Sequence, residues 1–265
     1  MKRITMKLVA IMCCITLMLP QAVFATDSVR STESEQGKDY TDMTFLKVGD
    51  KFTFGSYPQR EVVKNASDCG TNGKAWGSSD DYIADAGLYD KLTNANWDGN
   101  NDTTIDGVKY HRLKKEDATS SIDNGSGYFY NWNNGNNETR YFCYEPIKWR
   151  VLDNTVIENT LVISETALDD QIFDIYDHTW KSSHMKTWLN SDFYNRAFSE
   201  AKKKSIIETS NKDVSSDDKV FLLSVDEAEN ANYFNEVVNR RVKSSTYAKA
   251  MGVSANIRGD GECNW

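Results

Sequence analysis

Polar and apolar residues alternate along 144–152, where Ile147, Trp149 and Val151 fall on one face and Lys148 and Arg150 on the other, ahead of Leu152. A period of two over this length predicts a strand. A second apolar run follows at 161–163. Then 180–198 sets Trp188, Leu189, Phe193, Tyr194 and Phe198 at helix-like spacing. Strands and helix are therefore expected to share one hydrophobic centre, and the stretch reads as core rather than as an active site.

The rest of the chain predicts elements around this centre. A turn at 48–50 leads into a short alternating strand that Pro58 ends or places at an edge. The Gly, Ser, Asn and Asp of 65–81 are loop chemistry, and a short helix is expected over 81–92. Strands follow at 108–113 and 139–144, and Asn- and Gly-rich loops at 97–107 and 124–138 flank the first of them. Ser182 or Ser183 can cap a helix through Leu189, and Ser199 one through Ile207. The segment 220–223 reads as a buried strand. Ser224 with Glu227 forms a capping box for a helix to about Asn232, and 246–251 is a helix that Gly252 ends. There is no internal repeat and no regular strand–helix alternation, so the fold class expected is α+β.

Residues 1–25 combine Lys2, Arg3 and Lys7 with an apolar run from Leu8 to Leu19, Pro20, and the small-residue site Val23-Phe24-Ala25. This is the pattern of an export signal cleaved after Ala25, and its apolar run is short for a bilayer span. Cys13 and Cys14 lack a small residue before them and read as apolar filler. A polar, flexible linker is expected over 26–43 and a single domain over 44–265, giving a secreted or cell-surface protein.

The net charge is −8, and losing a signal with three basic and no acidic residues makes it more negative. Nucleic acid and anionic membrane both need a surplus of Lys and Arg, so the charge argues against them as partners and against membrane insertion after cleavage. Cys69, Cys143 and Cys263 then remain. Three is odd, so at most one disulfide forms within the chain, and the pairing is open. No CxxC or zinc spacing is present.

Several stretches carry a resemblance: Gly55-Ser56-Tyr57-Pro58-Gln59, the segment 144–152, Ser164-Glu165 with Ala167-Leu168, the 180–198 block, and 219–224 with Glu227-Ala228. In these the chain resembles an uncharacterised family of exported domains of Gram-positive bacteria, a domain of unknown function often attached to surface proteins. That family is distantly similar to C-type-lectin-like domains, the fold shared by many sugar-binding modules and by formylglycine-generating enzymes. The resemblance implies a C-type-lectin-like mixed sheet with short helices. In the family further strands follow the equivalent of Cys263-Asn264-Trp265, so it also implies a sheet that is incomplete at its C-terminal side.

Two candidate sites stand out. With Asp98 as the first position of a calcium loop, Asn100, Asp102, Thr104 and Asp106 fall at ligand positions 3, 5, 7 and 9, making Ca²⁺ the one candidate cofactor. Thr103 stands where the loop wants Gly, and Lys109 where it wants a bidentate Glu; the competing interpretation is an Asx turn entering a strand. The loop aromatics Trp97, Tyr128, Tyr130 and Trp132 are candidates to stack on sugar faces, whereas Trp149, Trp180 and Trp188 read as core.

His178 and His184 are six apart, off the spacing of one helix face, and His111 reads as a sheet-surface residue. Asp169-Asp170 and Asp217-Asp218 could be glycosidase-like carboxylates, but adjacent acids on polar turns are usually solvated, and they read as solvated turn acids. No catalytic residue is nominated: a Gly-x-Ser-x-Gly elbow and a phosphate-cradling loop are both absent. The expected function is noncatalytic cell-surface interaction with a glycan or a surface protein as partner. A secreted hydrolase or formylglycine-generating-type oxidase is one alternative, and a truncated product without independent function another.

Overall fold

The structure is a computed structural model that describes residues 10–13, 16–20, 46–71, 81–120, 130–134, 138–155, 159–174, 179–208, 218–253 and 262–264. The linker expected over 26–43 lies outside them, as do Tyr128, His178 and Asp217. In chain order the elements begin with β1 (Ala10–Cys13), β2 (Thr16–Pro20), β3 (Lys51–Val63), β4 (Tyr82–Ala84), α1 (Ala86–Thr93), β5 (Asp102–Ile105) and β6 (Val108–Lys114). They continue with β7 (Thr139–Asp153), β8 (Asn159–Ser164), β9 (Thr166–Ala167), β10 (Asp169–Ile172), α2 (His184–Trp188), α3 (Tyr194–Ala197) and α4 (Glu200–Lys203). The last are β11 (Val220–Phe221), α5 (Val225–Ala228), β12 (Arg241–Ser244), α6 (Thr246–Met251) and β13 (Glu262–Asn264).

Strand β7 is the axis. The two strands expected at 139–144 and 144–152 are one 15-residue strand that runs through Pro146. Its partner β3 lies antiparallel along one side, while β6 and then β8 pair with its other side. The sheet is mixed, because β4 joins β3 in parallel. Both faces of β7 are covered: Phe142, Ile147, Trp149 and Val151 enter the main core, whereas Tyr141 and Cys143 enter a second cluster and Leu152 a third. Burial of a large apolar side chain contributes roughly 1.5–3 kcal/mol, so the alternating run of β7 is a dominant source of stability.

Strand β3 does not end at Pro58. It continues to Val63, with register irregularities between Thr53 and Ser56 and between Pro58 and Arg60. Such irregularities are where a sheet tolerates a proline and a left-handed residue. Gly55 has φ 76°, and a Cβ there would stand 2.6 Å from the Phe198 ring. The Trp149 indole donates to the Phe54 carbonyl at 2.7 Å beside this kink.

The helical block 180–198 forms as expected but not as one regular helix. Ser183 caps α2, a π-helical turn spans Leu189–Phe193, and α3 completes it. Leu189, Phe193, Ala197 and Phe198 are buried in the main core, and Trp180 and Trp188 pack against it half-buried. The capping box at Ser224 is present with both of its hydrogen bonds, and Gly252 ends α6 at φ 141°. Helices α4 and α5 stop earlier than predicted. The run proposed as the leader's apolar stretch supplies two strands: β1 pairs with β10, and β2 lies between β8 and β11. Among the described residues no helix is long and apolar enough to cross a membrane.

Candidate functional site

A cleft of about 320 Å³ opens between the β5–β6 hairpin, β10 and the helical block. Trp188, Asp192 and Arg196 line one wall, set four apart so that the π turn carries them along one side of the block. π turns of this kind concentrate at functional sites. Gly99, Asn100, Asn101 and Arg112 form the opposite rim, with Asp117 beyond them. Tyr57, His111, Leu113, Asp169, Gln171, Tyr247 and Met251 make up the rest of the lining.

The cleft floor is a buried polar network. The Tyr57 hydroxyl donates to Asp169 Oδ2 at 2.5 Å, and Asp169 Oδ1 accepts from the Asp170 amide at 2.7 Å. Burial pushes the Asp169 carboxyl up to about 6, against these hydrogen bonds. Asp170 is pushed up to about 7 by burial and by the charge of Asp169. Both are 1 % exposed, so the expectation of solvated turn acids is corrected: they lie on β10, inside the fold. Asp218 is likewise buried, accepting from the Trp180 indole at 2.7 Å and pairing with Lys186 at 3.1 Å.

His111 is also buried rather than on the sheet surface. Its Nδ1 lies 2.8 Å from Asp102 Oδ1, and its ring meets Tyr247 edge-on. Burial and the nearby Arg196 hold the imidazole below its ordinary value despite Asp102, so it is neutral at pH 7. Arg196 stands among Tyr57, Tyr144 and Tyr247, and among the described residues no carboxylate forms an ion pair with it. Its guanidinium lines the cleft and is hydrogen-bonded to the Tyr247 side chain.

The five nominated calcium ligands are not gathered around one point. Asp98 Oδ1 accepts from the amides of Asn100 and Asp102, both at 2.8 Å, which is an Asx turn. Asp102 is buried and committed to His111, to Lys109 at 2.8 Å and to the Tyr144 hydroxyl at 2.9 Å. Burial alone would raise the Asp102 carboxyl, but its bonds to His111 and Lys109 outweigh it and hold it below its ordinary value. Thr104 is in β5, opposite Lys109. Asp106 begins the two-residue Asp106-Gly107 hairpin turn, with positive φ at both positions, and pairs with Lys91 at 2.6 Å. The set does not fit a calcium loop, and among the described residues no cluster of three or more His, Cys, Asp or Glu could hold a metal. Lys109, at the position a bidentate Glu should fill, is instead the partner of Asp102.

The nominated aromatics also land elsewhere. Trp132 is 1 % exposed, its indole donating to the Ala250 carbonyl at 3.1 Å, and Tyr130 is 3 % exposed. A buried charge pair explains why so polar a loop turns inward. Glu61 accepts from the Tyr130 hydroxyl at 2.8 Å and from Arg140 at 3.2 Å, and Arg140 in turn donates to the carbonyls of Asp68 at 3.0 Å and Trp132 at 3.2 Å. Gly70 is required beside it, since a Cβ there would stand 2.1 Å from the Tyr130 ring. Trp97 is half-buried, stacked on Tyr141 at 5.5 Å and capped by the Arg112 guanidinium. Of the residues nominated from sequence, Asn100 alone is among those lining the cleft.

The comparisons with known proteins bear on the second half of the chain. Residues 157–263 match the family model described as Domain of unknown function (DUF6273). This is an uncharacterised family, as the resemblance implied, and the matched span carries β10, the helical block and α6, hence one side of the cleft. No curated protein and no solved structure matches the chain.

Proposed function

We propose that this chain is an exported, noncatalytic binding domain of the cell surface, C-type-lectin-like in architecture, that takes a carbohydrate in the cleft between the β5–β6 hairpin and the helical block. One observation carries the reading: a half-buried indole, Trp188, stands in one cleft with the carboxylate of Asp192, the guanidinium of Arg196 and the amides of Asn100 and Gln171. A sugar presents an apolar C–H face and a rim of hydroxyls. An aromatic ring beside fixed donors and acceptors meets both needs. The mixed sheet and short helices are in keeping with a lectin-like scaffold.

A glycan array with the full chain, followed by calorimetry on the best ligand, tests this. Trp188→Ala and Asp192→Ala are each expected to weaken binding at least tenfold, provided that each variant still melts cooperatively. Binding unchanged in both would move the site elsewhere.

A hydrolase reading has one observation in its favour. Asp169, on the cleft floor, holds its carboxyl at about 6, where it could serve as a general acid. Hydrolysis of a bound glycan that Asp169→Asn abolishes would favour it over simple binding. Burial pushes Cys69 up to about 12 and Cys143 up to about 11, which counts against either as the thiolate of a thiol-based oxidase.

A further inference from the structure

Arg196 stands half-buried on α3 in the wall of the cleft, and among the described residues no carboxylate lies within ion-pairing distance of it. Its surroundings are phenols: Tyr57, Tyr144 and Tyr247, the last hydrogen-bonded to it. Asp102 and Asp169 act on it only through space. Asp102 already serves His111, Lys109 and Tyr144, while Asp169 accepts from Tyr57, from the Asp170 amide and from Gln171 at 3.2 Å. A guanidinium has five N–H donors and a permanent charge, and a charge withdrawn from water is normally paired. The neutral hydroxyl of Tyr247 satisfies a donor but not the charge. Arg196 can therefore still meet an anion that enters the cleft.

The neighbours of Arg196 in the cleft specify what carries that anion. A guanidinium fork matches a carboxylate, two N–H groups to two oxygens. His111 has its Nδ1 on the ionised Asp102, so that nitrogen carries the hydrogen and Nε2 is left as an acceptor, with no hydrogen-bond partner among the described residues. An acceptor of this kind suits a hydroxyl. The half-buried indole of Trp188 offers a flat apolar face in the same cleft. A carboxylate, a hydroxyl and an apolar ring face together describe an acidic sugar. A densely charged polyanion fits badly, because Asp117 and Asp192 are exposed among the lining residues and the chain carries a net charge of −8.

We infer that the cleft selects a sugar residue bearing a single carboxylate, a hexuronate or a sialate, and that Arg196 holds this carboxylate while Trp188 takes the ring face. The inference rests on the carbohydrate reading and narrows it from sugars in general to acidic ones. Arg196 is then the residue that sets specificity, and Trp188 contributes to any sugar that enters.

The test presents the full chain with glycans ending in a hexuronate or a sialate, each beside its counterpart with the carboxyl reduced to a primary alcohol, and follows binding by calorimetry. The acidic form of one class is expected to bind and its reduced counterpart to bind at least tenfold more weakly; the class that binds identifies the source of the carboxylate. This comparison uses the unaltered chain, so it decides the matter even if Arg196→Gln does not fold. Arg196→Gln is expected to bring the acidic form down to the affinity of the reduced one. Arg196→Lys, which keeps the charge without the fork, should fall between. Equal affinity for the two forms, with binding still lost in Trp188→Ala, would overturn the inference and leave the carbohydrate reading intact. An acidic preference that survives in a cooperatively melting Arg196→Gln would overturn Arg196 as its cause. Heparin fragments that bind more tightly than the singly charged glycans would overturn the single carboxylate. Binding of neither form would overturn the carbohydrate reading and the inference with it.

Discussion

The Tyr57 hydroxyl donates to Asp169 across 2.5 Å, joining the centre of β3 to the start of β10 with both side chains 1 % exposed. The bond stabilises the carboxylate in a place where burial disfavours it. Tyr57→Phe is therefore expected to raise the Asp169 carboxyl above about 6 and to cost about 1–3 kcal/mol at neutral pH. Carboxyl-carbon NMR titration and denaturant melts check the two parts. An unmoved Asp169 would mean that the hydroxyl does not carry the charge.

Asp170 gives the fold a pH dependence of defined sign. Its Oδ2 is buried without a hydrogen-bond partner among the described residues, and its carboxyl sits at about 7 against an ordinary 3.8. The native state thus holds the proton where the unfolded chain has released it. The contribution is fully present below about pH 4 and lost as pH rises through 7. Asp170→Asn stays neutral throughout. It should exceed the wild type in stability by about 2–4 kcal/mol at pH 8, and the gap should close towards pH 4. Parallel melts across that range would show a constant difference if the carboxyl were ionised at every pH.

Trp132 and Trp97 come from similar loops but should behave differently. Trp132→Ala empties a fully buried site and removes the bond to Ala250, so a loss of about 3–5 kcal/mol is expected. Trp97 is half-buried against Tyr141, and its replacement should cost clearly less. Urea melts compare them directly. Equal losses would make Trp97 a core residue as well.

Asp102 is expected to act on stability and not through calcium. Asp102→Ala strips His111, Lys109 and Tyr144 of a shared buried acceptor. The variant should melt lower by a margin that Ca²⁺ does not change. Millimolar Ca²⁺ that raises the wild-type melt but not the variant's would restore the calcium loop.

Sequence by itself determined the local elements of this protein. The alternation around Trp149, the spacing of Leu189, Phe193 and Phe198, the Ser224-Glu227 box and the stop at Gly252 are interactions among near neighbours, so a short window contains their cause. Acid-rich and aromatic-rich loops were legible as such, but the destinations of their side chains were not. Trp132 is buried because Arg140, eight residues on, draws the loop carbonyls inward against Glu61, and no spacing rule encodes a charge pair 79 residues apart. The same holds for the cleft. Trp188 read as core, and Asp192 and Arg196 gave no signal of their own; the three acquire meaning only because β7 carries the hairpin with Asn100 and His111 across from them. Local geometry is set by covalent neighbours, whereas burial, pKa shifts and a shared cleft arise from contacts between distant segments, which only the assembled sheet brings together.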